Sequence, residues 1–231
     1  RSGVDSSFLI YAAGKYASKV TAYYVKSAFQ PEFELEDAVK LAEKIGCDMK
    51  ILKADILQYP AVTSNPKDRC YHCKKQIFAA IMDAAAADGY SVIADGTNAS
   101  DDAADRPGMK ALSELKVLSP LRECGLTKSD IRAMSKEAGL FTWDKPAYAC
   151  LATRIPEGEE ITGDKLKAVE ISEGFLFSLG LTDFRVRTEK GRAKLQVRED
   201  QLESVIKNRE IILKELGKYF AAVTLDLKVR S

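Results

Sequence analysis

The sequence predicts an α/β protein, a doubly wound parallel sheet joined to a second, smaller α+β domain. Three observations predict it. Short apolar strands alternate with segments of helical period between Val20 and Gly139, the pattern of a parallel sheet with helical crossovers. A loop rich in Ser, Gly and Asp opens the first helix, as loops do at the ligand edge of such sheets. After Pro156 the order changes to helix, strand, strand, helix, strand, an α+β order for which a ferredoxin-like domain is one form. The boundary falls near Pro156-Glu157-Gly158, giving domains over residues 1–156 and 157–231.

Each element has its own signal. Arg1 to Ser7 runs into Phe8-Leu9-Ile10-Tyr11-Ala12-Ala13, a tight loop opening a helix. Such a helix normally follows a buried strand, so a strand is expected upstream of Arg1. Val20 to Val25 reads as a strand and Phe33 to Ile45 as a helix stopped by Gly46. Met49 to Leu52 is a short strand, and Gln58 to Arg69, with Pro60 and Pro66, is a loop. A helix follows through Ile77, Ile81 and Ala85 to Gly89. Ser91 to Ala94 is expected as a buried strand ending in the turn Asp95-Gly96-Thr97-Asn98, and Val117-Leu118 as a further strand. Thr127-Lys128-Ser129-Asp130 is a capping box opening a helix to Gly139. Downstream come a helix over 163–180, strands over 183–188 and 193–197, a helix over 200–216 and a strand over 222–227.

Composition narrows the function classes. The 231 residues are 46% hydrophobic and 30% charged, a globular profile. No apolar run approaches the roughly 20 residues a membrane helix needs, and a soluble, cytoplasmic protein is expected. The formal charge is +1; Arg154 to Arg230 holds 15 basic and 14 acidic residues, leaving 20 and 20 upstream. Neither part is a basic nucleic-acid platform. The five cysteines, Cys47, Cys70, Cys73, Cys124 and Cys150, are odd in number and scattered, unlike a disulfide scaffold.

The opening loop suits a phosphate. Gly3 lets backbone approach an anion closely, and the helix start at Asp5 offers unpaired N–H groups and the positive dipole end. Ser2, Ser6 and Ser7 add hydroxyl donors, and Asp5 could hold Mg²⁺ against pyrophosphate. A plain capped helix start explains the same residues. Asp95, ending a strand at the expected ligand edge, is a candidate ATP contact; a local Asx turn is its alternative.

Arg69-Cys70-Tyr71-His72-Cys73-Lys74 holds a C-x-x-C at a predicted helix start, an electropositive setting beside Arg69, Lys74 and Lys75. The pair fits a zinc half-site, a redox pair or iron–sulfur ligands. Cys150 is the best third thiol. Three cysteines would leave one iron of a four-iron cluster open to sulfide or substrate. Cys47 and Cys124 read as core or surface thiols, His72 as a bystander and Trp143 as core. Arg185 and Arg187 leave the same face of a strand and suit phosphate; a solvated face with Glu189 or Glu173 as partner is the other reading. Arg154 could bind a substrate phosphate or carboxylate, or tie down the interdomain linker.

Several strings together resemble the LarE-type sulfur transferases of nickel-pincer cofactor synthesis. They are the opening loop, the Asp95-Gly96-Thr97-Asn98 turn, Asp105-Arg106-Pro107-Gly108, Lys145-Pro146 through Cys150 to Arg154-Ile155-Pro156, Arg185-Val186-Arg187, and Val223-Thr224-Leu225-Asp226-Leu227. They span essentially the whole chain. The opening loop is also similar to the SGGxDS signature of PP-loop ATP pyrophosphatases, with Arg1 and Ser2 where that class has Ser and Gly.

The resemblance implies a PP-loop, adenine nucleotide alpha hydrolase-like fold and an ATP-dependent sulfur transferase that forms AMP and pyrophosphate. It implies ATP and Mg²⁺ as cofactors and pyridinium-3,5-biscarboxylic acid mononucleotide as substrate. A carboxylate of that substrate would be adenylated and become a thiocarboxylate. Some members sacrifice a cysteine; Cys70, Cys73 and Cys150 look like the type that carries a [4Fe-4S] cluster on three cysteines, with the sulfide donor left open. Arg154, Arg185 and Arg187 are implied at the substrate phosphate, and Glu173 at a metal or the substrate. A homo-oligomer is expected. Rival readings are a tRNA thiolation enzyme, which the neutral charge balance opposes, a zinc scaffold and an amidating ligase.

Overall fold

The computed structural model describes residues 3–101 and 107–230. In chain order the elements are α1 (Val4–Tyr16), β1 (Thr21–Lys26), α2 (Glu32–Ile45), β2 (Asp48–Lys53), α3 (Pro60–Thr63), α4 (Arg69–Ala87), α5 (Pro107–Glu114), α6 (Pro120–Glu123), α7 (Lys128–Glu137), α8 (Gly163–Ser178), β3 (Arg185–Glu189), β4 (Arg192–Gln196), α9 (Leu202–Lys207), α10 (Arg209–Leu216) and β5 (Ala222–Leu225). The fold class is α/β. No helix among the described residues is long and apolar enough to cross a membrane.

The chain divides into two units, Arg1–Ile56 with Lys67–Pro146, and Leu57–Pro66 with Ala147–Ser231. The sequence drew the boundary at Pro156. The division instead falls at Pro146, and residues 57–66 join the second unit because Asn65 Nδ2 donates to the carbonyls of Ile155 and Pro156 at 3.2 and 2.6 Å. That stretch, expected as loop, carries a short 3₁₀ turn (Ile56–Gln58) and α3, which has Pro at its start.

In the first unit β1 and β2 pair in parallel, Thr21 opposite Asp48 through Lys26 opposite Lys53. Parallel pairing with α2 between the strands is the predicted crossover. Ser91 to Ala94 differs from expectation. It makes one parallel bridge, Ala94 to Leu118, and Val92 is 65% exposed. Apolar content implied burial, but no described strand flanks its other side. The packed core lies under α1, where Val4 and Phe8 meet Leu41, Leu121, Ile131 and Leu140. The capping box is built as read: the Thr127 side chain accepts from the Asp130 amide, and Asp130 accepts from the Thr127 amide. Trp143 is half-buried rather than core, with Lys136 Nζ 4.7 Å from its ring centre.

The second unit carries a three-stranded sheet in the order β3-β4-β5, antiparallel then parallel. This mixed sheet differs from a ferredoxin-like one. The β3–β4 hairpin turns on Lys190 and Gly191 at φ 49° and 76°, the left-handed pair that a two-residue hairpin turn requires. The helix expected over 200–216 is two helices. Asn208 ends α9 and begins α10, and its Nδ2 donates to the Ser204 carbonyl at 2.8 Å. Such a side chain offers the backbone an alternative to a continuing ladder.

Candidate active site

In the first unit the predicted phosphate loop meets the Asp95 turn. Gly3 stands before α1 in extended conformation (φ −73°, ψ 166°). A Cβ on Gly3 would meet nothing within 4 Å, so no packing among the described residues demands glycine there. Gly96 is different: its Cβ would lie 2.8 Å from the Ser6 amide nitrogen and 3.0 Å from Ser6 Oγ. The turn therefore presses on the first turn of α1, and only glycine fits. Asp5 is half-buried. Its Oδ1 accepts from Asn98 Nδ2 at 3.2 Å, and its Oδ2 from Lys128 Nζ at 2.5 Å. The buried Ser7 hydroxyl donates back to the Gly3 carbonyl at 2.9 Å. Asp95 is engaged locally, accepting from the Thr97 amide (3.2 Å), Thr97 Oγ1 (2.6 Å) and Ser119 Oγ (2.8 Å). Ser2, and Asp105 and Arg106 of the resemblance, lie outside the described residues.

Cys70 and Cys73 sit in the first turns of α4, three residues apart and so on one helix face. Cys70 is exposed and lies 3.9 Å from Arg69 Nη2. His72 pairs with Asp68 at 3.2 Å. Cys47 is half-buried and Cys124 exposed. Among the described residues no group of three or more His, Cys, Asp or Glu is arranged to hold a metal ion.

In the second unit Cys150 is buried and caps a 3₁₀ turn, Leu151–Arg154. Arg154, 1% exposed, bonds Glu173 through Nε (2.9 Å) and Nη2 (3.0 Å). Its Nη1 reaches the carbonyls of Ala149 (3.0 Å) and Cys150 (3.4 Å) and Thr153 Oγ1 (2.9 Å). Burial opposes the Arg154 charge, but hydrogen bonding to Glu173 and its negative charge raise the guanidinium's pKa overall. Glu173 also accepts from the Val186 amide at 2.9 Å and from the Tyr148 hydroxyl. Burial, then the Glu173 charge, pushes the Tyr148 pKa up.

The arginine strand serves the same loop. Arg185 is buried and donates to the carbonyls of Phe184 and Ala147, both at 2.6 Å. Burial, with Arg154 and Arg230 nearby, holds its pKa down to about 10. Arg187 is half-exposed and donates to Gln196 Oε1 and the Thr153 carbonyl, each at 2.6 Å. Its Nη2 has no acceptor among the described residues, so an edge of the guanidinium is left for an anion. Burial, then the Arg154 and Arg230 charges, lowers the Arg187 pKa too. A cavity of about 260 Å³ opens beside its partner, lined by Gln196, Lys228, Val229 and Arg230.

With this geometry in place, two relatives are informative. The chain is 37% identical over 98% of its length to an uncharacterized protein of Synechocystis, covering 86% of that protein. It is 31% identical over 97% of its length to the pyridinium-3,5-bisthiocarboxylic acid mononucleotide synthase of Lactiplantibacillus plantarum, covering 83% of it. The chain belongs to the LarE-type sulfur transferase family. It is an ATP-dependent enzyme of the PP-loop class. No family model matches it. Among solved structures, the NMN synthetase of Francisella tularensis aligns at 13% identity with a TM-score of 0.48, covering 94% of this chain and 81% of that one. An NH3-dependent NAD synthetase of Campylobacter jejuni aligns at 18% with a TM-score of 0.46, covering 94% and 83%.

For a LarE-type enzyme, sequence reasoning missed two residues. Lys128, the ion partner of Asp5, was read only as part of a capping box. Tyr148 lay inside a quoted string but was given no role. The Thr127 box at least places Lys128 at a helix start; nothing local marks its pairing with a residue 123 positions away.

Proposed function

We propose that this chain adenylates a carboxylate of pyridinium-3,5-biscarboxylic acid mononucleotide with ATP and converts it to a thiocarboxylate, using sulfur from a [4Fe-4S] cluster on Cys70, Cys73 and Cys150. The observation that carries the reading is the 31% identity, across 97% of the chain, to an enzyme named for the bisthiocarboxylic product. The carboxylate oxygen attacks the α-phosphorus, and the bond to pyrophosphate breaks. Sulfide then attacks the activated carbonyl carbon, a C–S bond forms, and the C–O bond to AMP breaks.

The chain's own residues have distinct parts. The α1 start binds phosphate through backbone N–H groups. Asp5 holds Mg²⁺ once Lys128 releases it, and the freed ammonium then faces the pyrophosphate charge. Arg187 offers its open edge to the substrate phosphate. Arg185 and Arg154, both buried and committed to backbone and Glu173, support the loop around it. Glu173, with Arg154, Tyr148 and the Val186 amide already on its oxygens, fits a balancing charge better than a metal ligand. Cys70 and Cys73 on one face of a helix start suit a cluster in residue type and spacing. When bound, the cluster supplies sulfide at the iron that no cysteine ligates.

The test is anaerobic iron and acid-labile sulfide content with an absorption spectrum, for wild type and for Cys70→Ala, Cys73→Ala and Cys150→Ala. About four iron and four sulfide per chain are expected in wild type, and loss in each variant. Stoichiometric zinc without iron ends the cluster reading. A mass loss at Cys150 matching dehydroalanine moves the sulfur source to that cysteine. Normal turnover in all three variants removes these thiols from the chemistry, and thiolated tRNA as the product would replace the substrate.

A further inference from the structure

We propose that Tyr148 is a positioning residue: by donating to Glu173 on α8 it fixes the Cys150 thiol relative to the open guanidinium edge of Arg187. The inference rests on the reading above of Cys150 as a sulfur-handling residue and of Arg187 as a phosphate contact. The loop over 147–154 is held by side chains rather than by a repeating ladder. Cys150 itself is extended (φ −59°, ψ 150°), followed by a single 3₁₀ turn. Arg154 grips the Cys150 carbonyl and, just before the thiol, the Ala149 carbonyl; downstream, Arg187 grips the Thr153 carbonyl. Upstream, the ties are Arg185 to the Ala147 carbonyl and the Tyr148 hydroxyl to Glu173.

Glu173 is the common point of these ties. One carboxylate takes Arg154 from the cysteine turn and the Val186 amide from between Arg185 and Arg187. The Tyr148 ring also faces two cations, with the Arg154 and Arg185 guanidinium carbons 4.6 and 5.3 Å from its centre. Ring and hydroxyl thus do separable work. The ring satisfies the two cations; the hydroxyl ties a side chain of the upstream arm directly to the carboxylate, which that arm otherwise reaches through Arg154 on the Ala149 carbonyl. Losing the hydroxyl removes the side-chain tie from the residues before the thiol to Glu173, leaving that arm on the Ala147 and Ala149 carbonyl contacts. Placement of a reacting group to a fraction of an ångström depends on such supporting bonds.

The experiment is Tyr148→Phe in the full chain, which keeps the ring and removes only the hydroxyl. Four quantities are measured: the unfolding midpoint, ATP–pyrophosphate exchange, kcat and KM for sulfur transfer, and the iodoacetamide labelling rate of Cys150 in protein stripped of iron under reducing conditions. Exposed Cys124 is the internal reference for labelling. The expected result is Cys150 labelling severalfold faster relative to Cys124 and kcat for transfer down by about tenfold. KM for the mononucleotide and the exchange rate should stay within twofold. Unchanged labelling overturns the proposal, as does a changed labelling rate with unchanged kcat. A parallel fall in exchange also overturns it, since a general structural defect would do that. Glu173→Gln should move the same readouts in the same direction. Full transfer by Cys150→Ala defeats the sulfur role on which this rests, while the labelling shift in Tyr148→Phe separately reports whether the thiol is held.

Discussion

The first unit carries its functional groups on exchangeable partners, and the second buries them in a closed network. Asp5 and Lys128 form an ion pair with side chains 21% and 34% exposed, and Arg154 and Glu173 form one at 0% and 1%. A partly hydrated pair is easily opened by a better ligand. A desolvated one is costly to break and is fixed by its surroundings. The difference suits the two proposed tasks: Asp5 would change partners when nucleotide and cation arrive, whereas the cysteine loop would stay fixed.

Asp5→Ala breaks the comparison at its most reactive point and should have the largest effect. With Asp5 holding the cation as proposed, its removal should lower ATP–pyrophosphate exchange by about 10²- to 10³-fold. The unfolding midpoint should barely change, because the lost pair is near the surface. Exchange at the wild-type rate would take Asp5 out of the reaction and leave it as a helix-start residue.

Glu173→Ala examines the other side. Arg154 would be left buried with an uncompensated charge, and a loss of about 3–5 kcal/mol in unfolding free energy is expected. Urea denaturation at neutral pH measures it. A cost under 1 kcal/mol would mean that the second unit is no more committed than the first. The pH response has a definite sign. Burial, then the Arg154 and Arg230 charges, holds the Arg185 pKa down to about 10, below the ordinary guanidinium value, so the unfolded chain binds its proton more tightly than the folded one. Above about pH 10 this group makes stability rise with pH until the unfolded chain discharges too, and below about pH 10 its charging cost is fully present. Binding of a substrate phosphate at Arg187, as proposed, should weaken over the same rise, as the neighbouring Arg185 loses its charge.

Much of this was legible in the sequence where the code is local. The Thr127 capping box, the parallel β1–β2 crossover and the three-residue step from Cys70 to Cys73 follow from spacing alone. So did Arg185 and Arg187 sharing a strand face, although both spend donors on carbonyls of the loop over 147–154. What escaped depends on partners distant in sequence. The helix break at Asn208 needs one side chain to prefer the Ser204 carbonyl. The exposure of Val92 depends on what lies beside its segment. Asp95 reads as a nucleotide contact or a local Asx turn; the turn is present, with Ser119 as a further donor to the same carboxylate. Residues 57–66 belong with the second unit because of Asn65, which no periodicity marks.

The smallest expected effect sharpens the comparison most. Lys128→Ala removes the ammonium that Asp5 holds at 2.5 Å. The pair is partly exposed and salt-screened, so its loss should change unfolding free energy by less than about 1 kcal/mol. Two roles for the lysine then make opposite predictions for nucleotide binding. A mere placeholder competes with Mg²⁺ for Asp5, and its removal should tighten the cation. A ligand of the pyrophosphate charge should instead raise the KM for ATP severalfold while the Mg²⁺ requirement eases. Measuring exchange as a function of ATP at several Mg²⁺ concentrations separates the two. A lower Mg²⁺ requirement with unchanged KM for ATP assigns Lys128 to holding Asp5 alone. A raised KM means that the exchangeable partner itself becomes part of the nucleotide site, a handover that the buried Arg154–Glu173 pair cannot perform.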